Sequence, residues 1–388
     1  MKKNIPIIDF FSARPFWILL LIFVLALSVR SVPLRFEGSF DPDSHFHARL
    51  SNEIARTHTL ITWDPLSEQG RVYSYPPLLH ILVGSVSLLT HMDALLVLKF
   101  LGTLIGALFV FSVYLLAKLF SRSQGVALWS ALFAGVASIA VFRTSGHTRP
   151  DGLALTLIPL LLYLWLTRRE KLAFVLSLAL VLLHPLSAVF YALLLSVWFV
   201  LGVFKKVSFP ILLPFALVGM LATFVLWILS IGLPFTDYVS HVSLEASELV
   251  SFSLISFILF FPFSWFPAVV GGWKARIPFL LSVWTVFALV LGAFGVRFST
   301  YFIPFFSIAA GFGVDWIVQK LRKEKFTLPV LGFLLYVLGI ASIFVNGAPS
   351  APSPCFSLRR HRSSSIFGSL PDFCSSKNSC RSISNYFC

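Results

Sequence analysis

The sequence predicts an all-α protein that crosses a membrane about eleven times. Three observations predict it. Of 388 residues, 57% are hydrophobic and only 12% charged, where a soluble chain carries about 25% charged residues. Apolar runs long enough to cross a hydrocarbon core of about 30 Å recur along the length, and the mean hydropathy is +0.89. Basic residues fall in every second connection between those runs, the pattern that membrane insertion selects.

The first run, "PFWILLLIFVLALSV", follows Lys2, Lys3 and Arg14 and ends without a small-residue cleavage site. It reads as an uncleaved first helix over 15–32. Further spans are expected at 94–118, 126–142, 151–167, 172–186, 187–204, 210–231, 251–270, 277–295, 298–318 and 327–346. The His184-Pro185 join either separates two short spans or kinks one long helix. With the N-terminus inside, Lys118 and Arg122, then Arg168, Arg169 and Lys171, then Lys205 and Lys206 all face inside. Lys274 and Arg276 follow, then Lys320, Arg322, Lys323 and Lys325. Two spans over 172–204 are needed to keep that agreement. On the same count "YPPLLHILVGSVSLL" (75–89) is a surface or re-entrant helix, and the C-terminus lies outside. The polar connections 33–93, 143–150 and 232–250, together with Arg297, then share the outer face.

The net charge of +14 follows from these basic connections, so nucleic acid is not the expected partner. Cys355, Cys374, Cys380 and Cys388 all lie near the C-terminus, with no zinc-binding spacing. From 347 to 388 the composition turns to Ser, Arg, Pro and Cys without apolar periodicity. That segment reads as disordered, or as translated in another frame, after a membrane domain over 1–346.

Four polar clusters stand on the outer face. "SFDPDSHFHARL" holds Asp41, Asp43, His45, His47 and Arg49; carboxylates there suit a hard divalent cation that neutralises a diphosphate, and equally a solvated loop. "RTSGHTRPDGLAL" brings His147, Arg149 and Asp151 to a helix start, where Asp151 can serve the helix dipole or join a phosphate or metal site. "HVSLEASEL" offers Glu245 and Glu248 after Asp237 and His241, as a ligand or base or as an ordinary exposed loop. Arg297 precedes an aromatic, apolar run; its planar fork suits a phosphate, and snorkelling to the interface is the alternative.

Together these stretches resemble the catalytic subunit of oligosaccharyltransferases, archaeal forms above all, in the C-type membrane glycosyltransferase superfamily. "DSHFHAR" (43–49) is similar to the first external-loop motif, and "WDPLSEQGRVYSYPPLLHILVG" (63–84) continues it. "RTSGHTRPDGLALTLIPL" resembles the region of the acidic D-x-D pair, "HVSLE" the mobile-loop glutamate motif, and "RFSTYFIPFFSIAAGFG" the helix whose arginine meets the lipid diphosphate. The resemblance covers about 15–346 and implies the C-type glycosyltransferase architecture. It makes Asp43 the metal ligand and catalytic carboxylate, in preference to Asp41, with Glu245 the second catalytic acid and Glu248 behind it. Asp151 and His147 join Asp43 around Mn²⁺ or Mg²⁺, while Arg297 and Arg149 hold the diphosphate; His47 and Arg49 are secondary candidates.

Two departures qualify the resemblance. Arg149 stands where the family has the first acid of the D-x-D pair, and no W-W-D sequon reader occurs in the chain. The implied activity is glycan transfer from a polyprenyl (di)phosphate carrier to protein asparagine, on the outer face of a prokaryotic plasma membrane. Its partners are the lipid-linked donor, a protein or peptide acceptor and membrane lipid. A lipid or Ser/Thr acceptor, or an inactive truncated homologue, is the alternative. A flippase would instead need polar residues at mid-membrane and repeated halves, and the sequence has neither.

Overall fold

The computed structural model describes residues 15–35, 42–61, 63–64, 71–72, 75–137, 140–141, 144–145, 149–204, 210–231, 267–269 and 300–323. The spans expected at 277–295 and 327–346, most of 251–270, the loop 232–250 and the segment 347–388 lie outside them. The regular elements among the described residues are helices apart from one antiparallel pair, β1 (Trp63–Asp64) with β2 (Arg71–Val72).

Helix α1 (Pro15–Arg30) buries Ile18, Leu19, Ile22 and Ala26 against α4 (Ala94–Ser121) and α5 (Gln124–Val136). The first apolar run is thus an integral wall of the body. Its other side exposes Phe16, Trp17, Leu21, Val24 and Leu25, an apolar face that in a bilayer meets lipid. Helix α4 and a second helix over Thr300–Lys320 are each long and apolar enough to cross a membrane. Asp93 caps α4 by accepting the Leu95 N–H at 2.8 Å, and Ser123 caps α5 through the Val126 N–H.

Helix α6 (Pro150–Leu166) packs on α4, and α7 (Glu170–Leu183) on α6. His184 alone separates α7 from α8 (Pro185–Phe204), with φ −155° and ψ 98°. The sequence explains the break: Pro185 fits only a first helical turn, since its ring cannot continue α7. His184 Nδ1 takes the place of a capping oxygen and accepts the Ser187 N–H at 3.2 Å. The two short helices expected around this join are therefore distinct elements. Helix α9 (Leu212–Ile231) packs on α7 and α8.

Helix α10 (Ile303–Lys323) lies along α5. In lipid, helices gain no hydrophobic drive from one another, so close van der Waals packing of small residues must hold them. Ala127 and Ala134 of α5 and Ala310 of α10 lie buried in one core cluster. At Gly311 a Cβ would fall on Ser130 Oγ and lie 2.7 Å from the Val126 carbonyl, so only glycine permits the contact.

Candidate active site

A surface layer carries the first polar motif. Pro42 opens α2 (Pro42–Thr57), and Asp43 sits in its first turn, where the helix dipole favours an acid. Helix α3 (Leu78–Thr90) backs α2 so closely that a Cβ on Gly84 would stand 2.9 Å from the Ser51 carbonyl. Asn52 pins the layer to the start of α4, accepting from the Ala94 N–H and donating to Asp93, both at 3.2 Å.

One turn beyond Asp43, buried His47 meets buried His80 of α3, Nδ1 to Nε2 at 2.9 Å. Tyr75 and Phe46 stand edge-on around the two rings. Burial pushes the His80 imidazole down to about 3, His47 adds to the effect, and a hydrogen bond to the Pro76 carbonyl opposes both. A neutral His80 that donates to Pro76 accepts the His47 N–H at Nε2. A cavity of about 200 Å³ beside the pair is walled by Leu50, Ile54, Tyr75 and His80 among others.

The second motif arrives from below. Arg149 is the N-cap residue of α6, with φ −98° and ψ 151°, and its side chain makes no capping bond. The guanidinium reaches instead to Asp43, Nη2 to Oδ2 at 3.3 Å. Asp151, buried in the first turn of α6, accepts the Gly152 N–H at 3.0 Å. Two motifs more than a hundred residues apart in the chain thus meet at one carboxylate.

The remaining candidates divide simply. Arg49 lies over the Phe46 ring at 5.7 Å, and His45 is exposed. Asp41, His147, Asp237, His241, Glu245, Glu248 and Arg297 lie outside the described residues.

Sequence reasoning did not single out Arg30 or His80. Arg30 is fully buried at the end of α1. It donates to Thr144 Oγ1 at 2.9 Å, to the Gly135 carbonyl at 2.6 Å and to the Ala26 carbonyl at 3.2 Å. Its only sequence signal is an arginine ending an apolar run, a position where snorkelling is common.

A family model describing Alg9-like mannosyltransferases matches residues 19–244. The chain belongs to that family. The match takes in most of α1, all of α2 to α9, and both motifs that meet at Asp43. Among solved structures, the apo Archaeoglobus fulgidus oligosaccharyltransferase is similar, with a TM-score of 0.64 and 14% identity over 84% of this chain and 55% of that one. The same protein in complex with Zn and sulfate scores 0.63 at 15% identity, over 84% and 53%. ArnT from Cupriavidus metallidurans bound to undecaprenyl phosphate scores 0.56 at 16% identity, over 76% and 60%. This family member therefore has the fold of the C-type membrane glycosyltransferases, as the motifs implied, and spans about half the length of the archaeal structures. No protein of curated function matches it.

Of the ligands expected for the metal, His147 lies outside the described residues, and Asp43 faces the Arg149 guanidinium. Among the described residues no three of His, Cys, Asp and Glu cluster, and no step below runs through a metal.

Proposed function

We propose that this family member is an integral membrane glycosyltransferase that moves a sugar from a polyprenyl phosphate carrier to a hydroxyl acceptor on a lipid-linked glycan, at the outer membrane face. The observation that carries this reading is the Asp43–Arg149 pair, set at the junction of the two motifs that the family match covers. A sugar hydroxyl needs one proton acceptor, whereas a carboxamide nitrogen needs further activation. An acid beside a guanidinium suits the simpler task.

In that reaction the acceptor oxygen bonds to the anomeric carbon as the bond from that carbon to the phosphate oxygen breaks. The acceptor proton passes to the Asp43 carboxylate. The electron pair leaves with the carrier phosphate, whose charge Arg149 and Arg297 stabilise. Glu245 and Asp151 are assigned to the acceptor side and to the helix start behind Arg149. Transfer to protein asparagine is the second reading, favoured by the likeness of 43–49 and 241–245 to oligosaccharyltransferase motifs.

The deciding experiment offers purified protein in proteoliposomes a polyprenyl-phosphate-linked mannose and three acceptors: a lipid-linked glycan, a sequon peptide and a Ser/Thr peptide. Product on the glycan supports the first reading, and product on the sequon peptide replaces it with the second. Transfer to none of them overturns both.

A further inference from the structure

Helix α2 carries Asp43 in its first turn, the turn of a helix with the fewest internal bonds. Ties to its neighbours come further along. The Ser51 carbonyl packs against Gly84 of α3, and Asn52 bonds Asp93 and the Ala94 N–H at the start of α4. His47 bonds His80 of α3, and of these positions it lies closest in the chain to Asp43, four residues on.

Four residues are one helical turn, a rise of about 6 Å, and they set two side chains on one face. Within an α-helix the His47 N–H also closes on the Asp43 carbonyl, so fixing one backbone fixes the other. The His47 ring thereby gives the turn that carries the carboxylate a hold on α3. That hold has a direction. Neutral His80 donates to the Pro76 carbonyl, which leaves Nε2 as its acceptor, so His47 donates from Nδ1 across 2.9 Å. Both rings are buried, and a buried bond of this kind is stronger than one in water. Phe46 and Tyr75 stand edge-on to His47, each with its centroid 5.4 Å away, and limit how far the ring can turn. Asp43 itself is more than half exposed, so the reach of its carboxylate is set chiefly by the backbone beneath it.

We propose that His47 is a positioning residue: its bond to His80 holds the first turn of α2 in register with α3 and so keeps the Asp43 carboxylate where the acceptor proton is taken. This rests on the reading of Asp43 as the proton acceptor. His47 acts through that carboxylate, so its loss falls on kcat and leaves donor binding alone.

The test compares His47→Phe with wild type in proteoliposomes, with polyprenyl-phosphate-linked mannose and whichever acceptor the wild type uses. The substitution keeps the ring volume and removes the donated proton. Turnover, kcat, should fall by roughly ten- to a hundredfold, the range that a misplacement of about 1 Å costs, with the donor KM nearly unchanged. His47→Asn, whose NH2 can stand where Nδ1–H donates, should recover most of the loss. Hydrogen exchange at the amides of residues 46–48 should quicken in His47→Phe and slow again in His47→Asn. Added to Asp43→Ala, His47→Phe should have no further effect on the residual rate, because the two side chains act as one unit. If His47→Phe fails to fold, His80→Phe removes the acceptor from the other side of the bond and is read in the same way. An active wild type whose kcat survives His47→Phe overturns this inference alone, and so does a loss that persists in full without Asp43. A wild type that transfers sugar to no acceptor overturns the reading of Asp43 and this inference together.

Discussion

Two polar junctions join distant parts of this chain, and they are built in opposite ways. The Asp43–Arg149 pair opens to solvent on its acidic side, with the Asp43 side chain 59% exposed, the Arg149 side chain 14% exposed, and Nη2 to Oδ2 at 3.3 Å. The Arg30 junction is sealed, and its guanidinium serves two carbonyls and a hydroxyl with no access to solvent. A pair open to water on one side contributes on the order of 1 kcal/mol. A buried guanidinium stripped of its partners would cost several kcal/mol. Stability is invested at Arg30, and chemistry is left open at Asp43.

The largest effect that would test this contrast is on turnover. Asp43→Ala should reduce transfer by about a thousandfold or more, in the range lost with a general base, while the thermal midpoint in detergent hardly moves. Unchanged turnover would remove Asp43 from the mechanism. Arg30→Met should do the reverse. It takes the side-chain donor from the Gly135 carbonyl and should destabilise by about 2–4 kcal/mol, read by denaturation, with kcat of the surviving folded fraction preserved.

A pH scan sharpens the same contrast within the surface layer. His80 is held neutral in the fold, down to about 3, while an unfolded imidazole takes its proton near 6.5. Between those values the unfolded state binds the extra proton, so stability should be full above 6.5 and fall progressively toward 3. His80→Phe should flatten that slope in equilibrium unfolding. The smallest effect belongs to Arg149→Gln. With the Arg149 side chain 14% exposed but the Asp43 carboxylate open to water, its unfolding free energy should change by about 1–2 kcal/mol, while the KM for the lipid-phosphate donor rises.

Much of this was legible in sequence because apolar length is a one-dimensional signal. The runs at 94–118, 210–231 and 298–318 reappear as α4, α9 and α10. The ambiguous join at 184–185 resolved into two helices because proline and a capping imidazole act locally. Arg149 was visible as a departure from the D-x-D pattern, and its position against Asp43 gives that departure a physical partner. Arg30 and His80 were not legible. Thr144 and Gly135 lie 114 and 105 residues from Arg30, and His47 lies 33 from His80; periodicity reports which face is buried without naming what it meets.

Helix α7 has a further consequence through its length alone. Its 14 residues rise about 21 Å, against a hydrocarbon core of about 30 Å. By length it falls short of that thickness, whereas the 28-residue α4 rises about 42 Å and exceeds it. A change of lipid chain length is therefore expected to be felt unequally along this chain.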